Sequence, residues 1–172
     1  YYEVSLPGYK YNMTDIQAAI GLEQLVRLEA LLQRRSELAE RFRQGLQALP
    51  EIEPPACRPG IRHAWHVFAI RLRLDRLRID RAEFIEQLRR EGVGTSVHFI
   101  PLHRQPYYRE RFGLEPGGFP VAESAYPRLV SLPLYTLMTD QDADDVIEAA
   151  GRVIERNRGK FKSEQRWIAR QR

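Results

Sequence analysis

Apolar residues recur at helical spacing over a long stretch near the start of the chain. Thr14 is expected to cap this helix, with Gln17 three residues later completing a capping box. The repeating apolar positions are Leu25, Leu28, Leu32, Leu38, Phe42, Leu46 and Leu49. A helix over 14–49 would be roughly 50 Å long. Because this exceeds the width of a small domain, we expect it to bridge two bodies or to bend, near Gly21 or within 33–37.

After this helix, the pattern predicts a small domain of alternating short elements. A loop is expected over 50–62, which contains Pro50, Pro54, Pro55, Pro59 and Gly60. The elements predicted next are a strand over 63–72, a helix over 81–91, a strand over 93–100, short helices over 107–112 and 121–126, a strand over 129–134 and a final helix capped by Thr139. Gly92 is expected just after the second helix. This order predicts an α/β fold with helices packed on one face of a short sheet.

Length and composition fit one ordinary domain or a piece of a larger one. The chain has 172 residues, of which 43% are hydrophobic. No apolar run approaches the roughly 18 residues of a membrane span, so we expect no membrane partner. No charged leader precedes an apolar core near Tyr1, so no secretory signal is expected. Cys57 is the only cysteine and cannot form an internal disulfide, which fits a reducing cytoplasm.

The positive charge is concentrated at the end of the chain. The formal net charge is +4, but residues 158–172 form a basic tail and the preceding residues are nearly neutral. The charged residues of this tail are Arg158, Lys160, Lys162, Glu164, Arg166, Arg170 and Arg172. Basic tails bind phosphates weakly and without specificity. We therefore expect a solvated tail and no nucleic-acid partner.

The sequence contains no complete catalytic constellation and no ligand spacing that suits zinc. His63 and His66 are three residues apart on a predicted strand, so they would face opposite sides and could not share a metal. His98 lies late in a predicted apolar strand, before a loop rich in polar and aromatic residues. Strand ends that lead into such loops are common ligand sites. A histidine of the core is the alternative reading of His98.

Several motifs match one protein family in order and spacing over roughly residues 3–156. They are Gly8–Gly21 with Gln24-Leu25, Arg34-Arg35, His63-Ala64-Trp65-His66, Gly92–His103, Gln105–Tyr108, Ser131–Leu134 and Met138-Thr139. The chain resembles the C-terminal portion of the DegT/DnrJ/EryC1/StrS nucleotide-sugar aminotransferases. It is most similar to the branch that makes UDP-4-amino-4-deoxy-L-arabinose.

The resemblance implies a fold-type I aminotransferase dependent on pyridoxal 5′-phosphate (PLP). A large N-terminal domain would carry the Schiff-base lysine, upstream of this chain, so the chain alone is expected to be inactive. Lys10 lies in a different motif and is not that lysine. The expected divisions are an active-site loop over 1–13, the bridging helix over 14–49, a small domain over 50–157 and the tail over 158–172.

The implied reaction transfers an amino group from glutamate to a nucleotide-linked 4-keto sugar. Such enzymes are cytoplasmic homodimers with a shared active site, and they serve bacterial cell-surface glycans or lipid A modification. Two alternatives stay open. One is a PLP-dependent sugar 3-dehydratase of the same family, in which histidine replaces the lysine. The other is a non-catalytic module that binds a nucleotide sugar or a partner subunit.

The resemblance also implies which residues of this chain contact ligands. Lys10, Tyr11 and Asn12 match the loop that reaches across the dimer to the cofactor phosphate. Many family members have Asn at position 10 and Arg at position 12, so which of these side chains donates to the phosphate stays open. His98 is expected to bind substrate. His103 and Tyr108 are further candidates for substrate binding, with loop packing as their alternative role.

Overall fold

A computed structural model of the chain describes Glu3 and residues 6–159, which form helices around a three-stranded antiparallel sheet. The helices are α1 (Asp15–Leu46), α2 (Arg81–Arg90), α3 (Pro106–Phe112), α4 (Pro120–Ala125) and α5 (Asp140–Asn157). The strands are β1 (Ile52–Glu53), β2 (Phe68–Leu72) and β3 (Leu129–Leu132), in that order across the sheet. The predicted α/β class is confirmed.

The long helix α1 begins where the capping box predicts. The Thr14 hydroxyl accepts from the Gln17 amide, and the Gln17 side chain accepts from the Thr14 amide at 2.9 Å. The helix then runs without a break to Leu46, so no interruption occurs at Gly21 or within 33–37. It ends three residues earlier than predicted, because a turn begins at Gln47.

Only the C-terminal half of α1 packs against the domain. Of the apolar positions in its predicted stripe, Leu38, Phe42 and Leu46 are fully buried, whereas Leu25 is 63% exposed. The Phe42 ring lies 5.2 Å from the ring of Phe68 on β2. The N-terminal half of α1 therefore projects away from the core that the described residues form.

One face of the sheet is buried under the helices. On β2, Phe68, Ile70 and Leu72 point inward and are fully buried, while Arg71 points outward and is exposed. This period-2 alternation is what a sheet covered on one face requires. The predicted packing of helices on one face of a short sheet is confirmed.

Two arginines of α1 fasten the helix to the loops at the strand ends. Arg35 Nη1 donates to the carbonyl oxygens of Trp65 at 2.9 Å and Leu134 at 3.4 Å. Arg34 donates to the carbonyl of Met138 at 2.6 Å and forms an ion pair of 2.8 Å with Asp140. Charge-assisted hydrogen bonds of this kind are stronger than neutral ones, so they fix where α1 crosses the domain.

Four of the predicted strand and loop assignments are wrong in part. The proline-rich loop over 50–62 includes β1, which pairs with β2 through Ile52 and Leu72. The strand predicted over 63–72 begins only at Phe68, because Trp65 has a φ of 46° and interrupts the extended backbone. His63 and His66 therefore lie in a loop rather than on opposite faces of a strand.

The strand predicted over 93–100 is absent. Residues 93–100 are joined to β3 by one isolated bridge, between Ser96 and Ser131. The strand predicted over 129–134 ends at Leu132. β3 ends immediately before Pro133, since proline has no amide hydrogen with which to continue the ladder.

The predicted tail over 158–172 lies outside the described residues apart from Arg158 and Gly159. Arg158 is not simply solvated, because its Nε donates at 2.9 Å to Oε1 of buried Glu51. Within the described residues, no helix has both the length and the apolar composition needed to cross a membrane.

The crossing of α1 and α5 depends on the absence of a side chain at Gly45. A Cβ built there would lie 2.6 Å from Cδ1 and 2.9 Å from Cγ2 of Ile147. In the background Ile147→Ala, we expect Gly45→Ala to raise the free energy of unfolding by about 1 kcal/mol through helix propensity. With Ile147 present, overpacking of about 1–3 kcal/mol should cancel or reverse that gain. Urea unfolding of wild type, the two single variants and the double variant measures these free energies. An equal effect of Gly45→Ala with and without Ile147 would contradict the close approach of Gly45 to Ile147.

Candidate functional site

Lys10, Tyr11 and Asn12 lie in an exposed segment just before α1. Tyr11 is 85% exposed, and its ring lies 5.8 Å from that of Tyr9. Among the described residues, none donates or accepts a hydrogen bond with the side chain of Lys10, Tyr11 or Asn12. The amine, phenol and amide groups of these residues are therefore available to a ligand.

The projecting half of α1 holds this segment away from the domain. Glu29 pairs with Arg62 and is the first α1 residue with an ion pair to the loops of the domain. At 1.5 Å per residue, Asp15 lies about 20 Å further along the helix axis. The segment before α1 is thus presented outward rather than folded back onto the sheet.

The other candidates lie together on a second segment, residues 98–112, which follows the bridge between Ser96 and Ser131. His98 is partly buried, and its Nε2 lies 3.2 Å from the hydroxyl of Ser131, a residue of β3 that is 6% exposed. The backbone at Ser96 forms both hydrogen bonds of the bridge, at 3.1 and 2.8 Å. His98 is therefore anchored at the edge of the sheet.

His103 occupies a different environment from His98. It is 5% exposed, and its ring stacks on Phe119 at 4.5 Å with an interplanar angle of 12°. Its Nε2 lies 2.6 Å from Oε1 of Glu123 on α4. An ionised carboxylate can only accept, so Nε2 must carry the proton. That nitrogen is fully engaged within the domain.

Glu123 also pairs with Arg104, whose Nε donates to Oε1 at 2.7 Å. Arg104 and then His103 hold the pKa of the Glu123 carboxyl down at about 2, against an ordinary value of 4.5. Sequence reasoning missed Glu123. It lies on a short helix that no periodicity connects to His103, so only the fold brings the two together.

Tyr108 lies on α3 within an aromatic group. Its ring stacks near Phe112 at 6.2 Å and meets the edge of Tyr107 at 5.3 Å. Tyr108 is 37% exposed, and its hydroxyl has no hydrogen-bond partner among residues 6–159. It can therefore donate to, or accept from, a ligand at the surface.

The described residues do not enclose one pocket around all the candidates. His98, His103 and Tyr108 share the 98–112 segment, but no described hydrogen bond or ring contact joins that segment to Lys10, Tyr11 or Asn12. A groove of about 630 Å³ lies elsewhere, beside the C-terminal end of α1 and the outer edge of the sheet, with Arg43 and Arg71 among its lining residues. The candidates form two open surfaces.

Comparison with known proteins places this arrangement in a family. The model of the DegT/DnrJ/EryC1/StrS aminotransferase family matches residues 1–150. The chain belongs to this family. It is 46% identical over 158 residues to the uncharacterized protein MJ1066 of Methanocaldococcus jannaschii, covering 92% of this chain and 41% of that protein. It is 46% identical over 155 residues to the spore coat polysaccharide biosynthesis protein SpsC of Bacillus subtilis, covering 90% and 40%.

Solved structures of this aminotransferase family share the fold. Spr1654 of Streptococcus pneumoniae, assigned to the sugar aminotransferases, superposes in its PLP form with a TM-score of 0.78 at 32% identity, covering 91% of this chain and 39% of that chain. It is also known in a pyridoxamine phosphate (PMP) form. The present chain thus spans about 40% of the length of the relatives it matches.

The ionised Glu123 predicts a specific response to acid. Because the folded-state pKa of about 2 lies below the ordinary 4.5, the carboxylate contributes stability that is fully present above 4.5 and is lost as the pH falls through 2. We expect Glu123→Gln to lower the melting temperature near pH 6, and the gap to wild type to narrow progressively between pH 5 and about 2. Thermal unfolding monitored by circular dichroism measures this gap.

The matched control for this experiment is Glu115→Gln. Glu115 is exposed and has no ion pair among the described residues. Its gap to wild type should stay near zero at every pH. A gap for Glu123→Gln that is the same at pH 6 and pH 2.5 would show that its ion pairs do not stabilise the fold.

Proposed function

We propose that this chain is the C-terminal part of a PLP-dependent aminotransferase that transfers an amino group from glutamate to a nucleotide-linked 4-keto sugar. The observation that carries the proposal is the placement of two separate sets of polar side chains on open surfaces in a chain of this family. One set precedes α1 and the other lies on the 98–112 segment. Each needs a second surface to complete a site.

The residues before α1 fit the phosphate of PLP. Lys10 offers an ammonium group and Asn12 an amide, and neither is engaged by another described side chain. A phosphate needs donors of this kind. When bound, PLP supplies an electron sink for amino-group chemistry. In this proposal Lys10, Tyr11 and Asn12 bind the phosphate of the PLP in the neighbouring protomer of a homodimer. The Schiff-base lysine lies outside this chain.

The 98–112 segment fits the hydroxyl-rich substrate. His98 presents a partly buried imidazole held in place by Ser131, and Tyr108 presents an unpaired hydroxyl among aromatic rings. Hydrogen-bonding groups on a fixed edge can orient a sugar. The similarity to SpsC, which is named for spore coat polysaccharide biosynthesis, supports a product used in a cell-surface glycan. Lipid A modification is the other use that we propose from the sequence resemblance. The single cysteine fits a cytoplasmic location.

The proposed function is tested on a longer protein, in which an N-terminal part equivalent to that of the relatives precedes this chain. Purified protein is incubated with PLP, glutamate and a UDP- or dTDP-linked 4-keto sugar. Formation of the amino sugar and 2-oxoglutarate in equal amounts supports the proposal. Loss of water from the sugar without amino transfer would favour the dehydratase alternative, and binding without turnover would favour the non-catalytic one.

The phosphate contacts give a prediction for cofactor affinity. In that longer protein, we expect Lys10→Ala to weaken PLP binding by about 10- to 100-fold, because a charge-assisted hydrogen bond contributes about 1.5–3 kcal/mol. Asn12→Ala should weaken it less. Titration of the apoprotein with PLP, followed by visible absorbance, gives the dissociation constants. Arg27→Ala is the control, since Arg27 is an exposed cation on the same half of α1 with no ion pair among the described residues.

The position of His98 gives a prediction for substrate affinity. We expect His98→Gln to raise the KM for the nucleotide sugar by about tenfold, the value of one hydrogen bond. The half-reaction with glutamate should be unchanged. Steady-state kinetics with each substrate varied in turn separates the two effects. His66→Gln, an exposed histidine outside the segment, is the control, and an equal effect of both substitutions would argue against a sugar contact at His98.

A further inference from the structure

We propose that Glu123 is a positioning residue that fixes the 98–112 segment and so sets the binding of the nucleotide sugar rather than the chemistry of amino transfer. The part of this inference that concerns substrate rests on the proposed function. The part that concerns anchoring depends only on the geometry of the described residues.

Side-chain hydrogen bonds and ion pairs attach the segment to the described part of the domain at two points. The side-chain hydrogen bonds and ion pairs that join residues 98–112 to the rest of the described chain end on Ser131 or Glu123. The Ser131 contact holds the beginning of the segment through His98. The Glu123 contacts hold its middle through His103 and Arg104. Without Glu123, the segment beyond His98 would keep no polar side-chain anchor of this kind.

Between and beyond these anchors, most apolar side chains of the segment are exposed, and local hydrogen bonds form a turn. Phe99 is 97% exposed, Leu102 64% and Tyr107 66%, so apolar burial contributes little there. Local hydrogen bonds nevertheless link Gln105 to the carbonyls of Ile100 and Leu102 at 3.3 and 3.0 Å. Because these hydrogen bonds connect the residues of the turn, an anchor in its middle helps to fix where Tyr108 lies relative to His98.

This geometry assigns His103 a positioning role in place of a direct contact with sugar. Its Nε2–H donates a hydrogen bond to Glu123, and its ring stacks on Phe119. The same carboxylate oxygen accepts from Arg104, whose guanidinium also lies 5.9 Å from the ring centre of Tyr126. One carboxylate thus joins the middle of the segment to α4 and the turn that follows it.

Substrate binding depends on such positioning because hydrogen-bonding groups must be held to within about 0.5 Å of their working geometry. If the middle of the segment is released, Tyr108 moves with it while His98 stays on Ser131. His98 and Tyr108 are then no longer at the separation needed to hydrogen-bond the same sugar. The groups proposed to hold the cofactor phosphate, Lys10 to Asn12, lie on the other surface and are not displaced.

The anchoring is tested on this chain by hydrogen–deuterium exchange followed by mass spectrometry. In Glu123→Gln, we expect amides within 100–112 to exchange at least about tenfold faster than in wild type. Amides of 38–46 in the core of α1 should change less than about twofold. Arg104→Gln, which alters an exposed side chain, should give a smaller change of the same pattern. Glu115→Gln is the matched control and should change neither region.

The effect on binding is tested on the longer protein described above. We expect Glu123→Gln to raise the KM for the nucleotide sugar about tenfold, while the glutamate half-reaction and the affinity for PLP stay within about twofold of wild type. Glu123→Asp, which keeps the charge, should recover part of the loss. A purely structural role would instead impair sugar binding, the glutamate half-reaction and PLP affinity together.

Each outcome decides a separate part of the inference. Unchanged exchange over 100–112 in both Glu123→Gln and Arg104→Gln would overturn the anchoring. Faster exchange with an unchanged KM for the sugar would overturn the role in binding. If the wild-type protein transfers no amino group, the proposed function fails and the substrate role fails with it, whereas the exchange result still decides whether Glu123 anchors the segment.

Discussion

The packing of half of α1 against the domain is the constraint on which the rest of the structure depends. Leu38, Phe42 and Leu46 are fully buried against β2 and α5, whereas the preceding half of the helix has an exposed apolar surface. Burial of this size stabilises by about 1.5–3 kcal/mol per side chain, which is enough to hold one end of a helix firmly. The other end then carries Lys10 to Asn12 outward. The same interaction therefore builds the core and separates the two candidate surfaces.

Arginine side chains extend this constraint from the core to the loops. Arg35 donates to the carbonyls of Trp65 and Leu134, which lie just before β2 and just after β3. Trp65 adopts a backbone conformation that is costly for a residue with a side chain. Its amide donates to His63 Nδ1 at 2.8 Å, and its ring is buried. Hydrogen bonds to the carbonyl of Trp65 from Arg35 and from its amide to His63 therefore stabilise this strained conformation.

Elements that depend on local chemistry could be predicted from the sequence, and elements that depend on distant partners could not. The capping box at Thr14, the helix cap at Thr139 and the glycine after α2, Gly92 with a φ of 84°, are all present. In contrast, β1 lies among prolines and exists only because β2 lies beside it. The strand expected over 93–100 is likewise reduced to one bridge, between Ser96 and Ser131.

The same division applies to the candidate site. The residues of 98–112 could be chosen from their types and from the resemblance, because they are close together in the sequence. Glu123 could not, since its role exists only when α4 folds beside His103. A site defined only as a list of motif residues would therefore omit Glu123, the group proposed to hold the segment in place.

The Glu123 cluster differs in kind from the ion pairs that lie within a single helix. Glu86, Arg89 and Arg90 are neighbours on one exposed helix face, and pairs of this type contribute little because solvent screens them and the helix already holds them together. Glu123 instead joins two separate elements, and one of its partners is a buried histidine. An ion pair that closes a loop between elements restricts conformations that the backbone alone would allow. That is why this carboxylate, unlike one paired within a single helix face, can govern the geometry of a binding surface.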